Sequence, residues 1–300
     1  MVSHHALIDR ATVRLGSLFV GGNRFFARSV DAPRVEEMLP SVSVSVPTLA
    51  GEGIHEISAE TPVGTLGVGI KVVQWCGPDY PTIVYHHGND ERPFSSSRFS
   101  PNTFRDLLVD HADHLEMNVI GLRAPFHDGT TRDYARKMGD LSNFVAMLAT
   151  SVAAIDGIVD QQEDSVPVAV AGVSLGGWVT NLHRAYEGTA DVYIPMLAGA
   201  ELGKLFTRST YRRLLGRAGR ENPTAVEQTL DFGEDLRDNG TGTVYPLLAR
   251  HDQYIEYERQ RRAYDESNLL VVDRGHITAT LNPTPLREHL LGVLTQLSRP

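Results

Sequence analysis

Short, nearly continuous apolar runs recur along the chain at residues 82–86, 118–122, 166–173, 192–197, 244–249 and 269–272. Runs that are apolar at almost every position belong to strands buried on both faces. Between them, helical spacing marks residues 101–115, 132–160, 174–186, 254–266 and 284–297, the first opened by Ser100 as N-cap and Pro101 in the first turn. This alternation predicts one α/β domain, a mostly parallel sheet with helices on both faces. Upstream, residues 41–46 alternate serine and valine, the signature of a half-buried strand. Residues 63–75 read as its partner, with Gly64, Gly67 and Gly69 as candidate bulge positions.

Two segments stand outside the alternation. Residues 1–40 read as an amphipathic arm ahead of a domain of residues 41–300. Leu7, Ala11, Leu15 and Leu18 recur at helical spacing with Arg10 and Arg14 on other faces; Gly21 and Gly22 end the helix, and Phe25 and Phe26 add an apolar anchor. Such a stripe either packs on the domain or lies on a membrane surface. Residues 200–242 are too long for a simple crossover and carry their own helical pattern, which predicts a small helical lid over one end of the sheet. Within it Lys204, Arg208 and Arg212 follow one another at i, i+4 and i+8, with Arg213, Arg217 and Arg220 nearby. That run is either a solvated face or a basic patch, so residues 1–28 and 204–220 are the candidates for peripheral contact with an anionic membrane.

Composition narrows the classes. Three hundred residues with 41% hydrophobic and 22% charged side chains suit a single globular unit. A net charge of −9 disfavours nucleic acid as a partner. Cys76 is the sole cysteine, so an intrachain disulfide and a cysteine-based zinc cluster are excluded. No run of about 18 apolar residues exists to span a bilayer. Asp9, Arg10 and Arg14 interrupt the N-terminal apolar residues, against a signal peptide, and a cytoplasmic location is the expectation. Oligomeric state is not legible.

The chemistry concentrates at Gly172-Val173-Ser174-Leu175-Gly176-Gly177, between an apolar run and a helical pattern containing Trp178, Val179 and Leu182. Strand, tight turn and helix form the setting of a nucleophile elbow, in which a strained turn lifts the serine hydroxyl above the sheet. A phosphate-binding turn is the alternative, but the glycine spacing matches neither G-x-G-x-x-G nor a Walker loop. A serine nucleophile needs a base and an orienting acid. Asp252, in LLARHDQYI, and His276, in VVDRGHITA, each follow a predicted strand. Asp273 is the rival acid, with Asp231 and Asp235 as remoter ones; His183 and His289 fall inside helical patterns, where the first reads as a packing or surface residue and the second as a structural one.

In these three motifs, taken in the order Ser, Asp, His, residues 82–297 resemble the α/β-hydrolase superfamily. The resemblance implies the triad Ser174, Asp252 and His276, with the backbone N–H groups of Leu175 and Asn89 as oxyanion donors. Asn89 enters through the His86-His87-Gly88-Asn89-Asp90 turn, where His87 holds the loop. That sequence departs from the His-Gly-Gly-Gly run of hormone-sensitive-lipase-type esterases. Adjacent histidines on a strand point to opposite faces, against a metal site. A serine at the elbow also sets the chain apart from epoxide hydrolases and haloalkane dehalogenases, which use aspartate there, and from dienelactone hydrolases, which use cysteine. The expectation is a serine hydrolase acting on a small-molecule carboxylic ester through an acyl-enzyme, with no cofactor and no metal. The alternatives are a lipase or phospholipid deacylase, an acyltransferase, and a non-catalytic binding module on the same fold. Specificity would lie in residues 200–242 and in the polar loop 89–100.

Overall fold

The computed structural model describes residues 3–19, 23–97 and 100–297; Gly21 and Gly22 lie outside them, as does the side chain of Leu18. Along the chain, α1 (His4–Phe19) and α2 (Val35–Met38) precede β1 (Ser43–Val44), β2 (Gly53–Thr61) and β3 (Gly64–Gln74). Then come β4 (Thr82–His86), α3 (Thr103–Leu107), β5 (Asn118–Arg123), α4 (Thr131–Lys137), α5 (Leu141–Val159), β6 (Val168–Val173), α6 (Leu175–Tyr186) and β7 (Val192–Met196). The long excursion forms α7 (Leu202–Arg208), α8 (Arg217–Glu221), α9 (Pro223–Leu230) and α10 (Gly233–Asn239). The chain finishes with β8 (Thr243–Val244), β9 (Leu247–Ala249), α11 (Tyr257–Gln260), β10 (Leu270–Val272), α12 (His276–Leu281) and α13 (Thr284–Leu297).

Among the described residues these strands form one sheet in the order β1-β2-β3-β5-β4-β6-β7-β9-β10, with β8 beside β7. From β5 to β10 neighbouring strands are parallel; β1, β2 and β3 join antiparallel at one edge. The central strands are buried on both faces because their alternate residues enter two separate cores. Val84, Ile120 and Val170 face one, with α5 and α6; Ile83, Tyr85 and Ala171 face the other, with α3 and α13. The 19-residue α5 is long and apolar enough to cross a membrane by length and composition, but most of it is buried inside this fold.

Several boundaries differ from the sequence reading. The partner of β3 is β2, not residues 41–46, of which Ser43–Val44 alone pair, and they pair with β2. The register shift in β3 falls between Val72 and Gln74, away from its glycines; Gly64 instead forms the turn, with φ of 111°. Asn102, not Ser100, caps α3, accepting the Arg105 N–H. The helical stretch 132–160 divides into α4 and α5, with Asp140 at the N-cap position of α5. The expected strand 244–249 is split, with Pro246 between β8 and β9.

The arm also sits the other way round. Leu7, Ala11 and Leu15 are on the exposed face of α1, while Ala6, Asp9 and Val13, spaced i, i+3 and i+7, face inward. This face packs against α12 and the turn Thr210–Leu214. The basic run is not one helix either, since α7 ends at Arg208 and Arg212 lies in that turn. Lys204 pairs with Glu201 at 2.7 Å, Arg208 with Glu227 at 2.8 Å, and Arg217 with Glu221 at 2.8 Å.

Candidate active site

The chain runs from β4 to β5 on one side of the sheet and then crosses to β6 on the other. Such a reversal opens a crevice beyond the carboxyl ends of the strands. Ser174 follows β6 at that edge, residues 87–89 follow β4, Asp252 follows β9 and His276 follows β10.

Ser174 occupies φ 55° and ψ −111°, a conformation that costs a non-glycine residue about 1–3 kcal/mol. The surroundings hold it there: its N–H donates to Met196 O at 2.9 Å, and its carbonyl accepts the Trp178 N–H at 3.0 Å. Gly172 and Gly176 make the turn sterically feasible. A Cβ on Gly172 would strike the Gly176 backbone, and one on Gly176 would strike the His86 carbonyl. Leu175 opens α6, so its N–H has no acceptor within the helix and adds to the positive end of the helix dipole beside Ser174.

The structure brings Ser174, His276 and Asp252 together. His276 Nε2 lies 3.1 Å from Ser174 Oγ, and its Nδ1 lies 2.8 Å from Asp252 Oδ2. A carboxylate only accepts, which places the proton on Nδ1 and leaves the Nε2 lone pair facing the hydroxyl. The other oxygen, Asp252 Oδ1, accepts the N–H groups of Tyr254 at 2.7 Å and Ile255 at 2.8 Å. Burial opposes a charge on the His276 ring. The charge and hydrogen bond of Asp252, with Asp9 and Glu91 behind, outweigh it and hold the ring above the ordinary imidazole value.

The loop after β4 is braced by neutral histidines. Ala124 N–H donates to His87 Nε2 at 3.0 Å, so Nδ1 carries the proton that bonds Gly88 O at 2.6 Å. Burial drives His87 well below its ordinary value, with the charges of His127 and His86 acting the same way. His86 is held down to about 3, mainly by burial. The two rings do not take opposite faces: β4 ends at His86, strand alternation stops there, and the rings stack 4.9 Å apart. No group of three metal-ligating side chains occurs among the described residues. Asn89 accepts the Tyr134 hydroxyl through Oδ1. Glu91, overlooked in the sequence, accepts the Thr103 N–H at 2.8 Å and hydroxyl at 2.7 Å, and burial raises its pKa.

The rival residues lie elsewhere. Asp273 is exposed and bonds His251 at 2.7 Å. Asp231 accepts the Gly203 and Lys204 amides and is pushed up to about 6, mainly by burial. Asp235 pairs with Arg34 and Tyr186. His183 is buried against the Tyr193 hydroxyl, and His289 bonds Tyr245 O.

Ser174, Leu175, Gly88, Asn89 and His276 border a cavity of about 600 Å³. Phe25, Phe144, Trp178, Leu205, Phe206 and Tyr211 give it an apolar, largely aromatic wall drawn from four separate parts of the chain. A further residue is Asp9, which the sequence reading takes only as an interruption of the apolar arm; its buried carboxylate on α1 accepts amide N–H groups from the loops carrying Asp252 and His276. Its inward place in the Ala6, Asp9, Val13 spacing was the available signal.

No protein-family model and no curated protein sequence matches the chain. Solved structures do. An acylaminoacyl peptidase of Pyrococcus horikoshii superposes with a TM-score of 0.57 at 12% identity, over 84% of this chain and 42% of that one. Acetyl xylan esterase 1 of a Thermoanaerobacterium species gives 0.55 at 14% identity, over 89% of this chain and 96% of that one. Est1E of Butyrivibrio proteoclasticus gives 0.53 at 15% identity, over 80% and 99%. The chain spans about two fifths of the first peptidase chains it matches, 40–43% of their length. At these identities the likeness is one of fold.

Proposed function

The chain adopts the α/β-hydrolase fold, and on that fold we propose a serine hydrolase that cleaves carboxylic esters with an apolar acyl group. The observation that carries the reading is the hydrogen-bonded line from Ser174 Oγ through His276 to Asp252, at 3.1 Å and 2.8 Å. Ser174 Oγ attacks the ester carbonyl as its proton passes to His276 Nε2. Asp252 keeps the ring in the accepting tautomer and stabilises the imidazolium. The Leu175 and Asn89 N–H groups receive the oxyanion. His276 returns the proton to the departing alkoxide, leaving an acyl-Ser174 ester. Water, losing its proton to His276, then frees the acid and restores the serine. The aromatic wall of the cavity, of about 600 Å³, suits an apolar acyl group, while Glu91, Arg105 and Asp106 border the same cavity. No step needs a cofactor.

Labelling with a fluorophosphonate probe tests this directly. Wild type is expected to label, and Ser174→Ala and His276→Ala are not. Labelling that survives Ser174→Ala would move the nucleophile elsewhere. A folded wild type that neither labels nor hydrolyses p-nitrophenyl esters of rising chain length would favour a non-catalytic binding module.

A second reading, an esterase working at a lipid surface, is favoured by α1. Leu7 and Leu15 are more than half exposed on it, and Arg10 and Arg14 share the helix. Co-sedimentation with anionic vesicles at low salt is the check: binding weakened by Leu7→Ser with Leu15→Ser supports the reading, and no binding removes it.

A further inference from the structure

Asp9 has no exposed surface, and neither oxygen of its carboxylate is idle. Oδ2 accepts the N–H of Gln253 at 3.0 Å and of His276 at 2.9 Å, and Oδ1 accepts that of Ile277 at 3.0 Å. Gln253 is the residue after Asp252, and the other two amides belong to His276 and its successor. One side chain, 243 residues away or more, therefore ties together the two loops whose side chains meet at 2.8 Å. The fit is close: a Cβ on Gly275 would lie 2.8 Å from Asp9 Oδ2 and 3.0 Å from Oδ1. Neighbouring contacts anchor the same joint. Arg10 Nε donates to Gln253 Oε1 at 2.9 Å, the Tyr254 hydroxyl to Asp9 O at 3.3 Å, and Thr278 Oγ1 meets His5 Nδ1 at 2.8 Å.

We infer that Asp9 is a positioning residue for the proposed triad: α1 delivers a carboxylate that sets the spacing between the Asp252 and His276 loops. The inference rests on the hydrolase reading for its consequence, not for its geometry. Burying a carboxylate is costly, and here burial and the nearby charge of Asp252 both push its pKa up against the three amide bonds. Simple adhesion between α1 and the loops would be cheaper with an apolar side chain. What the carboxylate adds is three convergent acceptor directions and a negative charge near the His276 ring. The titratable and charged groups facing this joint are Asp252, Tyr254 and His276 from the loops, with His251, Asp273 and Arg274 beside them, Glu91 from the loop after β4, Tyr211 from the turn Thr210–Leu214, and His4, His5 and Arg10 from α1 itself.

The test is Asp9→Asn in the full chain, with Asp9→Ser as a second variant that leaves room for water, and Ser17→Ala on the same helix as control. An amide at position 9 can replace at most one acceptor oxygen and turns a donor toward a donor. For a folded variant we expect kcat on a p-nitrophenyl ester to fall ~10–100-fold with KM nearly unchanged, the cost of a misplaced catalytic group. The acid limb of kcat/KM and the NMR titration of the His276 ring should both move to lower pH, which loosened packing alone would not do. Ser17→Ala should match wild type. A folded Asp9→Asn or Asp9→Ser with wild-type kcat and an unmoved His276 titration overturns the inference. If wild type hydrolyses nothing, the hydrolase reading fails separately, and the His276 titration still decides the role of Asp9.

Discussion

In the proposed hydrolase the imidazole serves as a base only in one tautomer, and the contact from His276 Nδ1 to Asp252 at 2.8 Å favours that one. Both oxygens of that carboxylate are committed, Oδ1 to two backbone amides and Oδ2 to His276 Nδ1. In Asp252→Asn the amide oxygen is best kept where two N–H groups converge, which points the NH2 at the histidine. The ring must then accept at Nδ1 and protonate Nε2, so it can no longer take the Ser174 proton. We expect kcat to fall by about 10⁴-fold with the fold intact, measured by steady-state ester hydrolysis beside circular dichroism. A loss of tenfold or less would show that another acid serves. Asp273 is not placed to do so, since its carboxylate is turned outward to His251.

At the scale of elements, what was legible depended on whether a segment's partners were encoded nearby. β4, β6 and β7 could be read from sequence because both their faces are apolar, and no amphipathic helix of that length has such a pattern. The elbow was legible for the same local reason: strand, Gly172, Ser174, Gly176 and helix are contiguous. β2 was not, because it lies near the sheet edge, where most of its side chains meet water and the apolar signal is thin. The face of α1 was misjudged because Leu7 and Leu15 are exposed, whereas its inner face owes its burial to loops more than two hundred residues later. A local period such as Ala6, Asp9 and Val13 can mark a second face but cannot report what covers it. The same holds for the cavity wall, which gathers Phe25, Phe144, Trp178 and Phe206 from separate elements.

At the scale of the whole molecule, the electrostatics of the site are a sum over distant segments. Asp252, Asp9 and Glu91, from three regions of the chain, all favour the protonated His276 ring. Its pKa therefore lies above the ordinary value near 6.5, and two consequences run in opposite directions. For the proposed ester hydrolysis the ring must be neutral, so kcat/KM should rise with pH along a limb whose midpoint is above about 6.5. For stability, a folded-state pKa above the unfolded one means the folded protein holds a proton that the unfolded chain releases. That contribution is fully present below about pH 6.5 and is lost as pH rises through the folded pKa. Urea unfolding of wild type and His276→Gln at pH 6 and pH 9, set beside the wild-type rate profile, measures both. The stability gap between the two proteins should narrow at pH 9, where the wild-type rate is higher. A gap that widens with pH, or a rate limb centred below 6.5, would mean that burial governs the ring and that the three carboxylates do not.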